Sequence, residues 1–151
     1  MNTTQTVTVP GTREGVQSGA RALDAFVDAH GLPPSARWRF QVALDEVLSN
    51  VVRHGGATMI DLLFALDNDV LSLEVTDRGA AFDPLQAAAP DTSAGLDDRR
   101  PGGLGIVLVR TLMDAVRYER RGAHNHLTMI WRLRPDDEPA PAAEKGTTND
   151  D

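Results

Sequence analysis

Glu46, Asn50 and His54 follow one another at intervals of four residues in the run LDEVLSNVVRHGG. On a helix each would be turned only about 40° and displaced ~6 Å from the last, so the three form one row. A carboxylate, a carboxamide and an imidazole in a row offer a proton acceptor, an oxygen ligand for a hard cation and a donor for an anion. The neighbours Val47, Leu48 and Val51 belong to the apolar side, which sets the row at the border of core and solvent, where a pocket wall would stand. The plain alternative is a solvated helix edge, because polar residues at this spacing occur on any amphipathic helix.

Two further groups change that balance. Asp77 ends an alternating run and is followed by Arg78, Gly79 and then Ala80-Ala81-Phe82-Asp83-Pro84. A carboxylate at a strand end can accept from an exocyclic amino group, while the adjacent glycine lets a flat base approach the backbone. Read alone, Asp-x-Gly is a common turn. The third group, GGLGIVLVRTLMD, puts Gly103, Leu104 and Gly105 at the opening of an apolar helix. Glycines there free the backbone to wrap an anion, and the N-terminal N–H groups and dipole attract phosphate; the bland reading is a flexible helix entry. In this order the three groups outline a pocket for a magnesium-bound triphosphate, built without a GxxxxGK phosphate loop.

The elements that must position these residues are legible in outline. Thr6 to Val9 alternate as a short strand ended by Pro10-Gly11, and Val16, Ala20, Leu23, Phe26 and Val27 mark a helix from Arg13 to His30 that Gly31 stops. After Leu32-Pro33-Pro34, Ser35 is placed to cap a second helix with the stripe Phe40, Ala43, Leu44, Val47, Leu48 and Val51, ended at Gly55-Gly56. Residues 58–66 and the alternating Leu71, Leu73 and Val75 predict an antiparallel hairpin across Asp67-Asn68. Between Pro84 and Gly103 the composition turns to Ala, Pro, Gly and Asp without periodicity, a long loop that reads as a lid. A helix from about Leu104 to Met113 precedes strands near 115–120 and 126–133, the latter with Leu127, Met129, Trp131 and Leu133 on one face and Thr128 on the other. The fold class expected is α+β: a two-layer sandwich of antiparallel or mixed sheet with three helices on one face. Strict βαβ alternation is absent, which argues against a doubly wound fold.

A chain of 151 residues suits one domain, taken as residues 1–133, followed by a tail at 134–151 whose Pro, Ala and charge predict disorder. The tail holds six acids against two bases, so of the net charge of −7 it carries −4 and the rest of the chain −3. No cluster of Lys and Arg recommends nucleic acid as a partner. The chain has no cysteine for disulfides or thiolate ligands. The polar start MNTTQTVTV lacks the marks of a signal peptide and no stretch is long enough to span a bilayer, so a cytoplasmic location, without membrane association, is the expectation.

Glu46 and Asn50 in the helix, Asp77 and Gly79 after the strand, and Gly103-Leu104-Gly105 at the later helix resemble the N, G1 and G2 boxes of the GHKL (Bergerat-fold) ATPases. They are most similar to the anti-sigma-factor serine kinases of the RsbW and SpoIIAB type. The resemblance covers about Thr6 to Leu133, with the element order, the HG after the first box and the LVRTLMD run. It implies a kinase that transfers the γ-phosphate of ATP to a serine of a STAS-domain anti-anti-sigma factor and otherwise captures a sigma factor; a homodimer is also suggested by it. It further implies that Asn50 is the protein ligand of Mg²⁺ and that Glu46 accepts or orients the proton of the attacking serine. Asp77 would bind the adenine amino group with Thr128 supporting it through water, and Gly103 to Gly105 would cradle phosphates. His54 is left between a phosphate and the carbonyl end of its own helix. Two departures are visible: Ala81 stands where many relatives have a second glycine, and Arg99 and Arg100 lie near, but not at, the usual place of a basic residue. A nucleotide-gated module that sequesters a partner without phosphoryl transfer is the alternative reading, and the catalytic domain of a sensor kinase a weaker third.

Overall fold

The computed structural model describes residues 2–54, 56–85 and 101–134, with side chains left aside at 101–104. The lid expected between Pro84 and Gly103 therefore falls largely outside the described residues, as do Arg99, Arg100 and the tail beyond Arg134. Eight elements follow in the order β1 (Asn2–Pro10), α1 (Arg13–His30), α2 (Pro34–His54), β2 (Met59–Asp67), β3 (Val70–Asp77), α3 (Pro101–Leu112), β4 (Ala115–Arg121) and β5 (His124–Arg132). The strands form one sheet in the order β1-β2-β3-β5-β4. Every pairing is antiparallel, which settles the open choice between antiparallel and mixed.

Local chemistry explains most of the boundaries. Thr12 caps α1 by accepting from the Gly15 N–H at 3.3 Å, and Gly31 ends it at φ 59°, a left-handed position that costs a glycine little. The expected cap at Ser35 is not where the structure puts it. Pro34 opens α2, the position where a missing N–H is harmless, and the Pro33 carbonyl accepts from Ala36 and Arg37, so Ser35 sits buried in the first turn. β1 begins at Asn2 rather than Thr6: its polar first half carries no apolar alternation, yet it is held in register by the pairing of Asn2 through Pro10 with Asp67 through Met59. Two-residue turns close both hairpins, with Asn68 at φ 57° and Gly122 at φ 58°.

One face of the sheet is buried beneath all three helices. Ile60, Leu62 and Phe64 of β2, Leu71, Leu73 and Val75 of β3, and Leu127, Met129 and Trp131 of β5 meet Leu23 and Phe26 of α1, Phe40, Leu44 and Leu48 of α2, and Ile106 and Val109 of α3 in one core. Each such side chain, fully buried, contributes roughly 1.5–3 kcal/mol by removal of apolar surface from water. Gly19 lets α1 approach α2 closely, for a β-carbon there would meet Leu48 Cδ1 at 2.8 Å. Arg37 adds an ion pair from α2 to Asp24 of α1 at 2.6 Å, half exposed and so worth little. The result is that α2 lies with its Glu46–His54 row facing the ends of β3 and β5 and the start of α3. Among the described residues no helix is long and apolar enough to cross a membrane.

Candidate functional site

A cavity opens where those elements meet, and two of the three predicted groups line it together. Its wall includes Val47, Asn50, Val51 and His54 from α2, Val75 and Asp77 from β3, Ile106 from α3, Tyr118 from β4, and Asn125 and Leu127 from β5. Ala80, Phe82 and Pro84 form one rim of it. Apolar walls with a few convergent polar atoms suit a flat heterocycle.

Asp77 stands at the inner end of β3, 6% exposed. Its Oδ1 accepts from the Gly79 N–H at 2.7 Å and from Asn125 Nδ2 at 3.1 Å. Among the described residues no donor reaches Oδ2, which leaves one carboxylate oxygen for an amino group in the cavity. Gly79 is thus tied to Asp77 through its backbone. Ala81 is exposed and off the cavity wall, while Ala80 and Phe82 on either side line it, so its methyl group does not narrow the space.

Asn50 is 4% exposed, and its Oδ1 is buried without a hydrogen-bond partner among the described residues. Buried polar atoms are nearly always satisfied, so an orphan in a cavity marks a place that another group completes. A neutral amide oxygen is also the donor chemistry a magnesium ion accepts, and the residues present therefore fit such an ion. No cluster of three or more carboxylates and imidazoles suited to a metal occurs among the described residues.

Glu46 is half-buried one turn before Asn50, and its carboxyl is pushed above the usual glutamate range. The main cause is loss of water around it, the charge of Asp45 adds to the rise, and Arg53 opposes it. Gly105 packs directly on this side chain: a methyl group at 105 would overlap Glu46 Oε1, with Cδ next nearest. Since α3 starts at Pro101, three residues before the Leu104 expected, Gly105 lies a full turn inside the helix rather than ahead of it. The N–H groups of the first turn that have no partner within the helix belong to Gly102, Gly103 and Leu104, with Pro101 having none. They are the ones that can meet an anion, and Gly105 serves close packing. His54 is exposed at the cavity mouth with its ring stacked on Phe82, centroids 4.1 Å apart.

Thr128, too, lies away from its expected place. It pairs with Glu74 and Arg117, and because Leu127 and Met129 face the core, the pleat turns Thr128 to the outer face of the sheet, away from Asp77. The residue opposite Asp77 is Asn125. Sequence reasoning missed it, although the signal was present: stepping the alternation Trp131, Met129, Leu127 back by two reaches Asn125.

A cavity with a partly bonded carboxylate at one end and an orphaned amide oxygen at the other, between a helical layer and an open antiparallel sheet, is the arrangement of a Bergerat-type ATP-binding domain. The comparisons agree. Residues 9–131 match the family described as histidine kinase-like ATPase domain. A serine/threonine-protein kinase, BtrW, of Bordetella bronchiseptica is 42% identical over 108 residues, 68% of this chain and 76% of that protein. The serine-protein kinase RsbW of Listeria monocytogenes is 30% identical over 74% of this chain and 76% of its own length. That of Halalkalibacterium halodurans is 40% identical over half of each, 50% and 51%. Among solved structures, the RsbU and RsbW domains of a Mycobacterium tuberculosis protein superpose with a TM-score of 0.65 at 21% identity, covering 88% of this chain and 33% of that one, a likeness of fold. The chain belongs to the histidine kinase-like ATPase family, within the group of RsbW-type serine kinases.

Proposed function

We propose that the protein is an ATP-dependent protein-serine kinase of the anti-sigma-factor type, phosphorylating a serine of a STAS-domain anti-anti-sigma factor and, when not so engaged, capturing a sigma factor. The observation that carries the reading is the convergence of Asn50 and Asp77 on one cavity, with Glu46 held against α3 beside it. Relatives named as serine-protein kinases support it.

In this reading Asp77 Oδ2 accepts from the adenine amino group while Val47, Val75, Ile106 and Leu127 enclose the ring. Backbone N–H groups at the start of α3, from Gly102 to Leu104, receive phosphate oxygens with the help of the helix dipole. Asn50 Oδ1 would hold Mg²⁺, whose charge offsets that of the phosphates. Phosphoryl transfer asks mainly for positioning and charge stabilisation. The serine Oγ–P bond forms as the bond from Pγ to the bridging oxygen breaks, ADP departs, and Glu46 takes up the hydroxyl proton. Its raised proton affinity suits that task, and its half-buried place leaves it open to an incoming hydroxyl. The domain extends over residues 1–133, and a cytoplasmic setting suits such a partner-switching role.

Incubation with γ-labelled ATP, magnesium and a STAS-domain protein from the same cell tests the reading. Label on a serine of the partner, lost in Glu46→Gln while nucleotide binding persists, is the expected result. Nucleotide binding with no transfer to any such partner would favour the sequestering module instead.

A further inference from the structure

The cavity as it stands is too small for the ligand that its polar atoms suit. Its volume is about 40 Å³, room for a few waters at roughly 10–15 Å³ each and far less than a purine with its ribose fills. A wall must therefore move before a nucleotide enters. The faces supplied by α2, β3, α3, β4 and β5 belong to elements that the core holds, where a shift would disturb many close-packed contacts. The remaining face is irregular backbone, the segment that carries Ala80, Phe82 and Pro84. This segment is a strap pinned at both ends. At one end the Gly79 carbonyl accepts from Arg120 Nη1 and the Ala80 carbonyl from Asn125 Nδ2, each at 2.9 Å. At the other, Leu85 packs against the core. Between these points, among the described residues, the backbone reaches the rest of the fold through the Phe82 N–H and Asn125 Oδ1 at 3.4 Å, longer than an ordinary hydrogen bond. What holds the middle of the strap is the Phe82 ring, stacked on that of His54 with centroids 4.1 Å apart and planes inclined by 21°. His54 is the last residue of α2, so the stack joins helix to strap, and both rings line the cavity.

From this geometry we infer that the His54–Phe82 stack is a latch, which shuts the empty cavity and must part, letting the strap swing outward, before a nucleotide can enter. The inference rests on the proposal that a nucleotide occupies this cavity. A single ring pair with one exposed member is a weak fastening, so the latch opens and closes reversibly. Only the open molecules accept ligand, and association is slowed by the fraction that is closed. With a nucleotide in place the rings stay apart, and the stack then adds nothing to how long the ligand remains. A latch thus differs in kind from a ring that touches the ligand, since loss of such a contact acts on dissociation. The pair governs how fast the site fills.

The test is rapid mixing of the full chain with magnesium and ADP carrying a fluorescent group on its ribose, followed by displacement with unlabelled ADP. The first step reads association and the second dissociation, and neither needs phosphoryl transfer. Native protein that binds no adenine nucleotide would end the nucleotide reading itself. Given binding, Phe82→Ala should associate roughly two- to tenfold faster than native protein, with dissociation within about twofold. Phe82→Tyr keeps the stack and should associate at the native rate. Should Phe82→Ala not fold, His54→Ala carries the test from the exposed side of the pair, with association about twofold faster and dissociation unchanged. Association that is unchanged or slower once the stack is removed would overturn the inference. So would dissociation accelerated as much as association or more, because the rings would then be contacts of the bound nucleotide.

Discussion

The two ends of the cavity differ in how complete they are. Around Asp77 and Asn125 the polar atoms are bonded to one another, and among the described residues one carboxylate oxygen is left over. Around Glu46 and Asn50 the buried amide oxygen has no partner and the carboxyl holds its proton more tightly than usual. The end proposed to take the base is thus preorganised by the fold itself, whereas the end proposed to take the phosphates keeps unsatisfied polarity. Binding strength and selectivity should reside in the first region, and chemistry and cation dependence in the second.

Substitutions can break this division, and the largest effect should come from Glu46→Gln. It keeps the shape of the side chain but cannot take the serine proton, so transfer should fall about 10²- to 10⁴-fold in single-turnover labelling, with ATP affinity within about twofold of native. In native protein the rate should drop as pH falls through a value above the ordinary 4.5, because the carboxylate form is the one required. Stability follows the opposite sign. A raised folded value means that the folded state binds the proton better than the unfolded chain, so that share of stability is present in acid and lost as pH rises through the folded value. Glu46→Gln escapes the loss and should melt on the order of a degree or two higher than native at pH 7, a gap that closes at acidic pH.

Asn50→Leu comes next. Magnesium-dependent strengthening of ATP binding should vanish, a loss of roughly tenfold or more, while the ligand-free protein, relieved of an orphaned buried oxygen, should melt about 2–5 °C higher in calorimetry. A fall in melting temperature would mean that Asn50 is a satisfied core residue and that the contrast between the two ends is wrong. Gly105→Ala should act more moderately by pressing on the Glu46 carboxylate. Stability should drop by about 1–3 kcal/mol in urea titration, and kcat should fall severalfold while KM for ATP stays nearly constant. His54→Ala should do least. The ring is exposed and its stack on Phe82 is replaceable, so ATP affinity should change by only about twofold. A much larger loss there would show that the imidazole serves the phosphates after all.

Much of this was written in periodicity. The stripe from Phe40 to Leu48 and the glycine at 31 gave the helices nearly to the residue, and the spacing of Glu46, Asn50 and His54 gave the pocket wall. Boundaries set by neighbours were harder. The start of β1 depends on its pairing with β2, which its own polar residues do not announce, and Ser35 lost the cap because two prolines ahead of it supply the first turn with a carbonyl. The role of Thr128 beside Asp77 came from the resemblance, although the alternation already set it on the face opposite Leu127 and Met129. Asn125, Tyr118 and Arg120 converge from a hairpin onto a loop some forty residues upstream, and a contact of that kind exists only once strands β3 and β5 are in register.

That register has one more consequence. The strands that bear Asp77 and Asn125 are interior to the sheet, with β1 and β2 to one side and β4 to the other. Fraying at the β1 margin can proceed without disturbing Asp77 and Asn125, since separating the two inner strands requires opening close to the whole domain, whereas β4 at the other margin is tied to Asn125 through Tyr118 and Arg120. If the cavity binds a base as proposed, its affinity should therefore be insensitive to breathing at the β1 edge and should fall as β4 loosens.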